Sequence, residues 1–486
     1  MKRFRFDVFR FVGSWILVIA VLGCQKSATD EGEIQLPGDT PDPTVQAAGP
    51  FSILNAVEGD QEVTLTWEAS ANASTYTVHY GTSSGFYPTI FSSSATSPTT
   101  VTGLTNGTVY YFMVTAVNEQ GTVPASTEFV RMPGPPTLSD LGDVFSMTKA
   151  TAWSLALPFQ LGGDPNLACT ENVTAASSDV AVLPASGISI TGTYPNCSLN
   201  LNFAASVTGS TILTLTATRG QMTATQTFSV QLVPLAAGVY SLRKLVLSSV
   251  AKAIQVRRAS DNTLKDIGFS ATGGLDVSDL SSFCAATSCF VRTWYDQSGN
   301  GKNAVQTAAA NQARIVNAGV VDLKNSKPAL IFDSNDYYTL SNAIAKAAGM
   351  SSVSVAERTS NASIRTIFSG AAGSFQFRYN NAHKLNLLRT NQVSLLLASA
   401  VSPLGLNVIS TTTIAGNSMV ATNGVGISNT TSPGFTSGIT TIGRNGSNLG
   451  ENFIGGLSEV TIFSIVLPPV HRQALEANQK TFYSTP

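Results

Sequence analysis

Between residues 51 and 232 apolar side chains return at every second position, in short runs separated by Gly, Asn and Ser, and the fold has to satisfy that alternation. Val63-Thr64-Leu65-Thr66-Trp67, Tyr76-Thr77-Val78-His79-Tyr80 and the run from Val109 to Val117 form one set. Ile188-Ser189-Ile190-Thr191-Gly192, Leu199-Asn200-Leu201-Asn202-Phe203 and the run from Thr211 to Ala217 form a second. A period of two sends successive side chains to opposite faces of a strand, so each run buries one face and wets the other. Short strands of this kind with turn residues between them build sandwiches of two antiparallel sheets. Val180-Ala181-Val182-Leu183-Pro184 reads as a further strand of the second set, and Arg219-Gly220 as a hairpin turn before a strand at 225–232. Charged residues make up only 12% of the chain, too few to coat long solvent-facing helices.

The first 23 residues follow a different rule. Lys2, Arg3, Arg5 and Arg10 precede an apolar run from Phe11 to Leu22, shorter than a comfortable membrane span and shaped like a secretory leader. It ends in Val21-Leu22-Gly23-Cys24, which resembles the bacterial lipoprotein signal. That resemblance implies a lipid-modified Cys24 at the mature N-terminus, a chain anchored in the cell envelope and, because Gln25 rather than an aspartate follows, an outer-membrane or surface location. Residues 24–50, rich in Pro and acids and without apolar periodicity, read as a disordered tether. Setting Cys24 aside leaves four of five cysteines, an even set suited to an oxidising compartment. Local pairing joins Cys169 to Cys197 and Cys284 to Cys289, one of the three connectivities that four cysteines allow. Without the leader, 24 basic residues stand against 28 acidic, a net charge of −4 that leaves no footprint for nucleic acid.

Trp67, Tyr76 and the run Leu104-Thr105-Asn106-Gly107-Thr108-Val109-Tyr110-Tyr111 resemble the fibronectin type III pattern, which assigns 51–133 to such a domain. Tyr80, Phe86 and Tyr87 could form an aromatic patch on it, although core or strand-edge positions are the commoner fate of such residues. Residues 135–232 resemble bacterial immunoglobulin- or cadherin-like repeats. The rest, 236–486, is long for an immunoglobulin fold and suits a larger two-sheet jelly roll. Its one evident helix is 471–480, behind Pro468-Pro469. The chain is therefore expected to be all-β and multidomain: two immunoglobulin-like sandwiches followed by a concanavalin A-like jelly-roll sandwich.

The third unit turns on residues 283–303, FCAATSCFVRTWYDQSGNGKN. Phe290 to Tyr295 alternates β-branched and aromatic residues, as in a strand covered on both faces, and Asp296 to Gly301 then makes an ordered turn. This stretch, with Tyr240-Ser241-Leu242-Arg243, the run from Ile254 to Asn262 and Asp266-Ile267-Gly268-Phe269, resembles the catalytic domain of the arabinofuranosidase B family, a glycoside hydrolase on a concanavalin A-like sandwich. Ile442-Gly443-Arg444, the run from Phe453 to Val460 and the closing helix resemble the last strands of laminin-G and concanavalin A-like domains.

The resemblance also says where chemistry should sit. Retaining glycosidases need two carboxyl groups, a nucleophile and a general acid/base. At the family's nucleophile position, after Ser369-Gly370-Ala371-Ala372, this chain has Gly373; at its acid position, after Ile442-Gly443-Arg444, it has Asn445. Neither side chain can take the role, and the family's adjacent cysteine pair has no counterpart. Glu357, Asp333, Asp336, Glu451 and Glu459 remain for a rearranged site, each with an ordinary structural role as the competing reading. His79, His383 and His471 are scattered, Gly299-Asn300-Gly301 lacks the Lys-Ser/Thr of a phosphate loop, and the acidic turn from Asp333 to Asp336 reads as a turn sooner than as a calcium site. No cofactor or metal is expected. The resulting expectation is a surface lipoprotein presenting a non-catalytic carbohydrate-binding or adhesive domain, with Trp294, Tyr295 and Gln297 as glycan-binding candidates if they face solvent. Its partner is then a glycan or another surface protein. The alternatives are an α-L-arabinofuranosidase-like glycoside hydrolase and a structural envelope protein.

Overall fold

The structure, a computed structural model, describes residues 46–247, 251–345, 347–359, 363–371, 374–389, 393–397, 400–429, 437–446 and 451–486. The leader, Cys24, the tether up to residue 45 and Gly373 lie outside them. The chain is an all-β, multidomain protein.

In the first unit the sheet Ile53–Gly59, Glu62–Trp67 and Thr99–Thr102 faces a second sheet of Thr89–Ala95, Thr75–Gly81, Tyr110–Asn118 and Gly121–Pro124, with Phe129–Arg131 also on Tyr110–Asn118. The period-two runs supply the core: Val63, Leu65, Trp67, Val78, Phe112 and Val114 are all buried. Tyr110 Oη accepts the Thr105 N–H at 3.1 Å, tying the corner after Leu104 to the strand it leads into.

The second unit stacks Val144–Met147, Met222–Val233, Gly209–Arg219 and Val173–Ser177 on Ile188–Thr193, Asn196–Phe203, Trp153–Gly162 and Thr137–Leu138. Trp153 stacks on Phe203 with ring centroids 4.6 Å apart. Cys169, just before the first sheet's Val173, bonds to Cys197 in the second, so the disulfide joins the two layers. Residues 180–184 are not a strand. Asp179 takes the Ala181 N–H on its side chain and the Val182 N–H on its carbonyl, and this local turn outcompetes the alternating pattern.

The third unit is two sheets that part company at one strand. Along one sheet the neighbours are Leu264–Gly268, Lys252–Arg258, Cys289–Trp294, Ala304–Val305, Tyr338–Ile344, Ile439–Ile442, Arg365–Gly370, Phe375–Tyr379, Leu385–Arg389 and Val393–Leu397. Along the other they are Cys289–Trp294, Arg314–Asn317, Leu330–Phe332, Gly455–Phe463, Gly349–Arg358, Gly405–Ile414, Ser418–Thr422 and Val425–Asn429. Cys289–Trp294 belongs to both: its first two residues pair with Arg314–Asn317 and its last two with Ala304–Val305. Trp294, Phe332, Tyr338, Phe368, Phe377 and Val460 fill the gap between the layers.

The closing helix spans Pro469–Tyr483, longer than the apolar pattern alone marks out. It lays Leu475 and Tyr483 on Val353, Val355 and Val408, which is why Gly349–Arg358 is buried on both faces. A second helix, Val277–Phe283, was not expected from the sequence; Asp276 caps it by accepting the Asp279 N–H, and the Cys284–Cys289 disulfide fastens its end to the shared strand.

Candidate functional site

The glycan-binding candidates fail the condition set for two of the three. Trp294 has no exposed surface, because its alternation phase turns it into the gap between the sheets. Gln297 is buried by its own hydrogen bonds, accepting the Leu245 N–H and donating to the Ser241 and Arg243 carbonyls. Tyr295 stays half-buried on the sheet surface, donating to Asp266 at 2.7 Å beside Lys252. The turn after the shared strand is a clamp: Asp296 accepts the N–H groups of Val239, Ser298 and Lys302 and the Ser298 hydroxyl. On the first unit Phe86 is exposed, Tyr80 packs against the core and Tyr87 donates to Glu128.

Side chains able to do chemistry converge instead at one end of the third sandwich. Strand Phe375–Tyr379 reads Phe-Gln-Phe-Arg-Tyr, so Phe375, Phe377 and Tyr379 go to the core and Gln376 and Arg378 to the opposite face. There Arg378 Nη1 donates to Glu451 at 3.0 Å and to Gln376 at 2.8 Å, while its Nε donates to Asn386. Asn445, the position the family resemblance assigns to the acid, donates from Nδ2 to the same Glu451 oxygen at 2.6 Å. Both bonds fall on Oε2. The Arg378–Glu451 pair is nine-tenths buried, in surroundings where charge-assisted bonds are strong.

Two further carboxyl groups belong to neighbouring segments. Glu357, at the end of Gly349–Arg358, bonds Lys324 at 2.8 Å and accepts the Gly456 N–H at 2.7 Å. Asp336 sits in a turn that packs under the Asn445 segment: Asn452 donates to the Ser334 carbonyl, and a side chain at Gly443 would strike Phe332 and approach the Asp336 carbonyl. Burial, reinforced by Asp333, raises the Asp336 pKa to about 6, against the pull of the Asp333 N–H and Arg314. Glu459 plays no part here. It is fully buried between Arg243, Ser241, Gln479 and Tyr483, where it staples the closing helix to its sheet.

Hollows of about 430 and 440 Å³ flank the hairpin of Ser418–Thr422 and Val425–Asn429, and neither has an Asp or Glu side chain in its lining. Among the described residues no group of three or more His, Cys, Asp or Glu could hold a metal ion, and no helix is long and apolar enough to cross a membrane. The arginines of the site went unnoticed in the sequence, although alternation in Phe375–Tyr379 carried the signal: a cation in phase opposite to three core aromatics needs a partner.

Residues 227–384 match the family model described as Alpha-L-arabinofuranosidase B, catalytic, and residues 50–131 match Fibronectin type III domain. The first match takes in Glu357, Arg378 and Asp336 and ends before Asn445 and Glu451. No curated protein sequence matches the chain. Solved structures similar to it include a GH54 a-l-arabinofuranosidase soaked with cyclic sulfate inhibitor, at 17% identity over 51% of this chain and 62% of that one, TM-score 0.42. An arabinofuranosidase complexed with arabinofuranosyl-alpha-1,2-xylobiose is 18% identical over the same shares, TM-score 0.40. A two-domain fibronectin type III segment from chicken tenascin is 13% identical over 38% of this chain and 98% of that one, TM-score 0.18. The chain thus spans 62% of the length of the arabinofuranosidases it resembles.

Proposed function

We propose that the third unit is a glycoside hydrolase of the arabinofuranosidase type, carried on two sandwich spacers and tethered through a lipid on Cys24 to the outer membrane or surface of a bacterial cell. The observation that carries this is Glu451: a carboxylate held by Arg378 and by Asn445 itself, standing where the resemblance asks for a catalytic acid and the aligned residue cannot be one. A carboxylate in that place suits attack on, or charge stabilisation of, an oxocarbenium-like centre. The proton for the leaving group has to come from a second carboxyl, and Asp336, which retains its proton to about pH 6, is the candidate. Such a reaction requires two carboxyl groups in different roles.

A second reading is favoured by the same contacts. With Asn445 at the family's acid position and Glu451 neutralised by Arg378, the unit would bind its glycan without turning it over. One assay separates the two: the purified full chain is incubated with an aryl arabinofuranoside and run through an arabinan-containing gel. Release of arabinose that falls by at least about a hundredfold in Glu451→Gln supports the hydrolase. Retardation in the gel with no release supports binding alone, and release unchanged in Glu451→Gln sinks the assignment of that residue.

A further inference from the structure

Among the described residues three guanidinium groups at this end of the third unit, those of Arg358, Arg365 and Arg444, have no carboxylate partner; Arg444 is covered by the Tyr337 ring, and the other two are not so covered. Arg365 opens the strand Arg365–Gly370 and stands directly opposite Tyr379 in register, so both side chains leave the sheet on one face. That face is turned to the gap between the layers, where Tyr379 belongs to the core. Arg358 closes Gly349–Arg358 in the facing sheet, near enough for its charge to act on the Tyr379 hydroxyl. Two polar side chains of one sheet and the charge of a third from the facing sheet therefore lie at this end of the gap.

Each of them ends in an unused polar atom. Arg358 Nε, Arg365 Nε and Tyr379 Oη are buried without a hydrogen-bond partner, and Arg365 and Tyr379 are only 7% and 2% exposed. Arg365 Nη1 donates to the neighbouring Ile364 carbonyl, a contact that brings no counter-charge. Burial alone pulls the Arg365 guanidinium below its ordinary pKa. Glu357 is matched by Lys324 and Glu451 by Arg378, and among the described residues no ion pair reaches Arg358 or Arg365. Holding an uncompensated guanidinium and an orphaned phenol out of water is costly unless a ligand completes them.

We infer that this end of the gap is a subsite for a carboxylate carried by the glycan, so that the substrate is an arabinofuranose-bearing polysaccharide that also contains uronosyl residues. The inference rests on the glycan-directed reading above and narrows it to an acidic substrate class. A carboxylate matches the planar fork of a guanidinium with two parallel hydrogen bonds, and the phenol adds a third donor. A neutral furanose offers hydroxyl oxygens to the same donors and leaves both charges unanswered.

The test is calorimetric, on the full chain, with three forms of one arabino-oligosaccharide: uronate-bearing, with the carboxyl reduced to the alcohol, and sulfated in its place. The uronate form should bind at least about tenfold more tightly than the reduced form, the margin of one charge-assisted contact. Arg365→Met and Tyr379→Phe should each shrink that preference, weakening the uronate form more than the reduced form. Tyr379→Phe keeps the ring in the core, so it reports on the hydroxyl without endangering the fold. Equal affinity for the uronate and reduced forms overturns the subsite and leaves the glycan-directed reading standing. Preference for the sulfated form overturns the assignment to uronate, and failure of all three forms to bind overturns both readings.

Discussion

At the scale of single residues, the third unit separates charges that hold the fold from charges placed for chemistry. Arg243 and Glu459 are an ion pair at 2.9 Å with the carboxylate fully buried and the arginine capped by the Phe482 and Tyr483 rings. Removing one partner strands the other in a dry site, so Glu459→Ala should cost about 3 to 5 kcal/mol, whereas replacing both by methionine should cost much less. Urea unfolding of the three proteins measures this, and equal losses in the single and double variants would refute it. Asp336 behaves differently. Its carboxyl keeps a proton to about pH 6 when folded but releases it near 3.8 when unfolded. Between those values the folded state binds more protons, so stability falls as pH rises through the window and the penalty is complete above it. Asp336→Asn keeps an oxygen for the Asp333 N–H and removes the penalty. It should melt above the wild type at pH 7 to 8, with the gap closing below about pH 4. If Asp336 is also the proton donor, the same variant loses arabinofuranoside turnover while gaining stability, a combination that a merely structural turn would not give.

At the scale of elements, the strand Cys289–Trp294 and its turn show what could be read from the sequence and what could not. The alternation, the covered strand, the amide-rich turn and the disulfide that closes the short loop are local properties and were legible. The turn's purpose was not, because its partners Val239, Ser241 and Leu245 are more than fifty residues away and only the folded sheet brings them together. The dense polar sequence therefore looked like a site and proved to be a clamp. Conversely, the Arg378–Glu451–Asn445 cluster joins a strand to a loop 73 positions further on, and no spacing announced it. The clamp is testable: Asp296→Ala leaves three backbone N–H groups unpaired and should cost roughly 3 kcal/mol or more, read from the denaturation of Trp294 fluorescence. The two disulfides should differ as their loops do. In the chain-entropy model the Cys169–Cys197 link, 28 positions apart, contributes about 3 to 4 kcal/mol and the Cys284–Cys289 link, five apart, about 2. Paired Cys→Ala variants should reproduce that order.

At the scale of the whole molecule, the two junctions between units are built from different materials. The first is polar: Arg219 of the second unit donates to the Met132 and Gly134 carbonyls and pairs with Glu58 and Asp164. The second junction is a shared apolar cluster in which Met147 and Val233 of the second unit pack with Val239, Leu245, Val246 and Leu467 of the third, reinforced by the Met147 N–H on the Leu245 carbonyl. The difference implies a division of labour, with the second and third units moving as one body and the first held to the second by the polar contacts of Arg219 and the linker backbone. Arg219→Ala should accelerate protease cleavage near residues 132–136 while sparing the second junction. The apolar junction makes the stronger demand. A fragment of residues 236–486 exposes the surface that Met147 and Val233 cover, losing burial worth about 2 to 5 kcal/mol for each large side chain. For a unit of this size, at about 2 to 4 °C per kcal/mol, that corresponds to a melting temperature lower by roughly 8 °C or more than in a fragment of residues 135–486. Trp67, Trp153 and Trp294 each belong to the core of a different unit, so replacing Trp153 by phenylalanine in the longer fragment leaves Trp294 to report the third unit alone. Equal melting temperatures would mean that the cluster is a contact surface and not a shared core, and the short fragment would then serve for assays of the site.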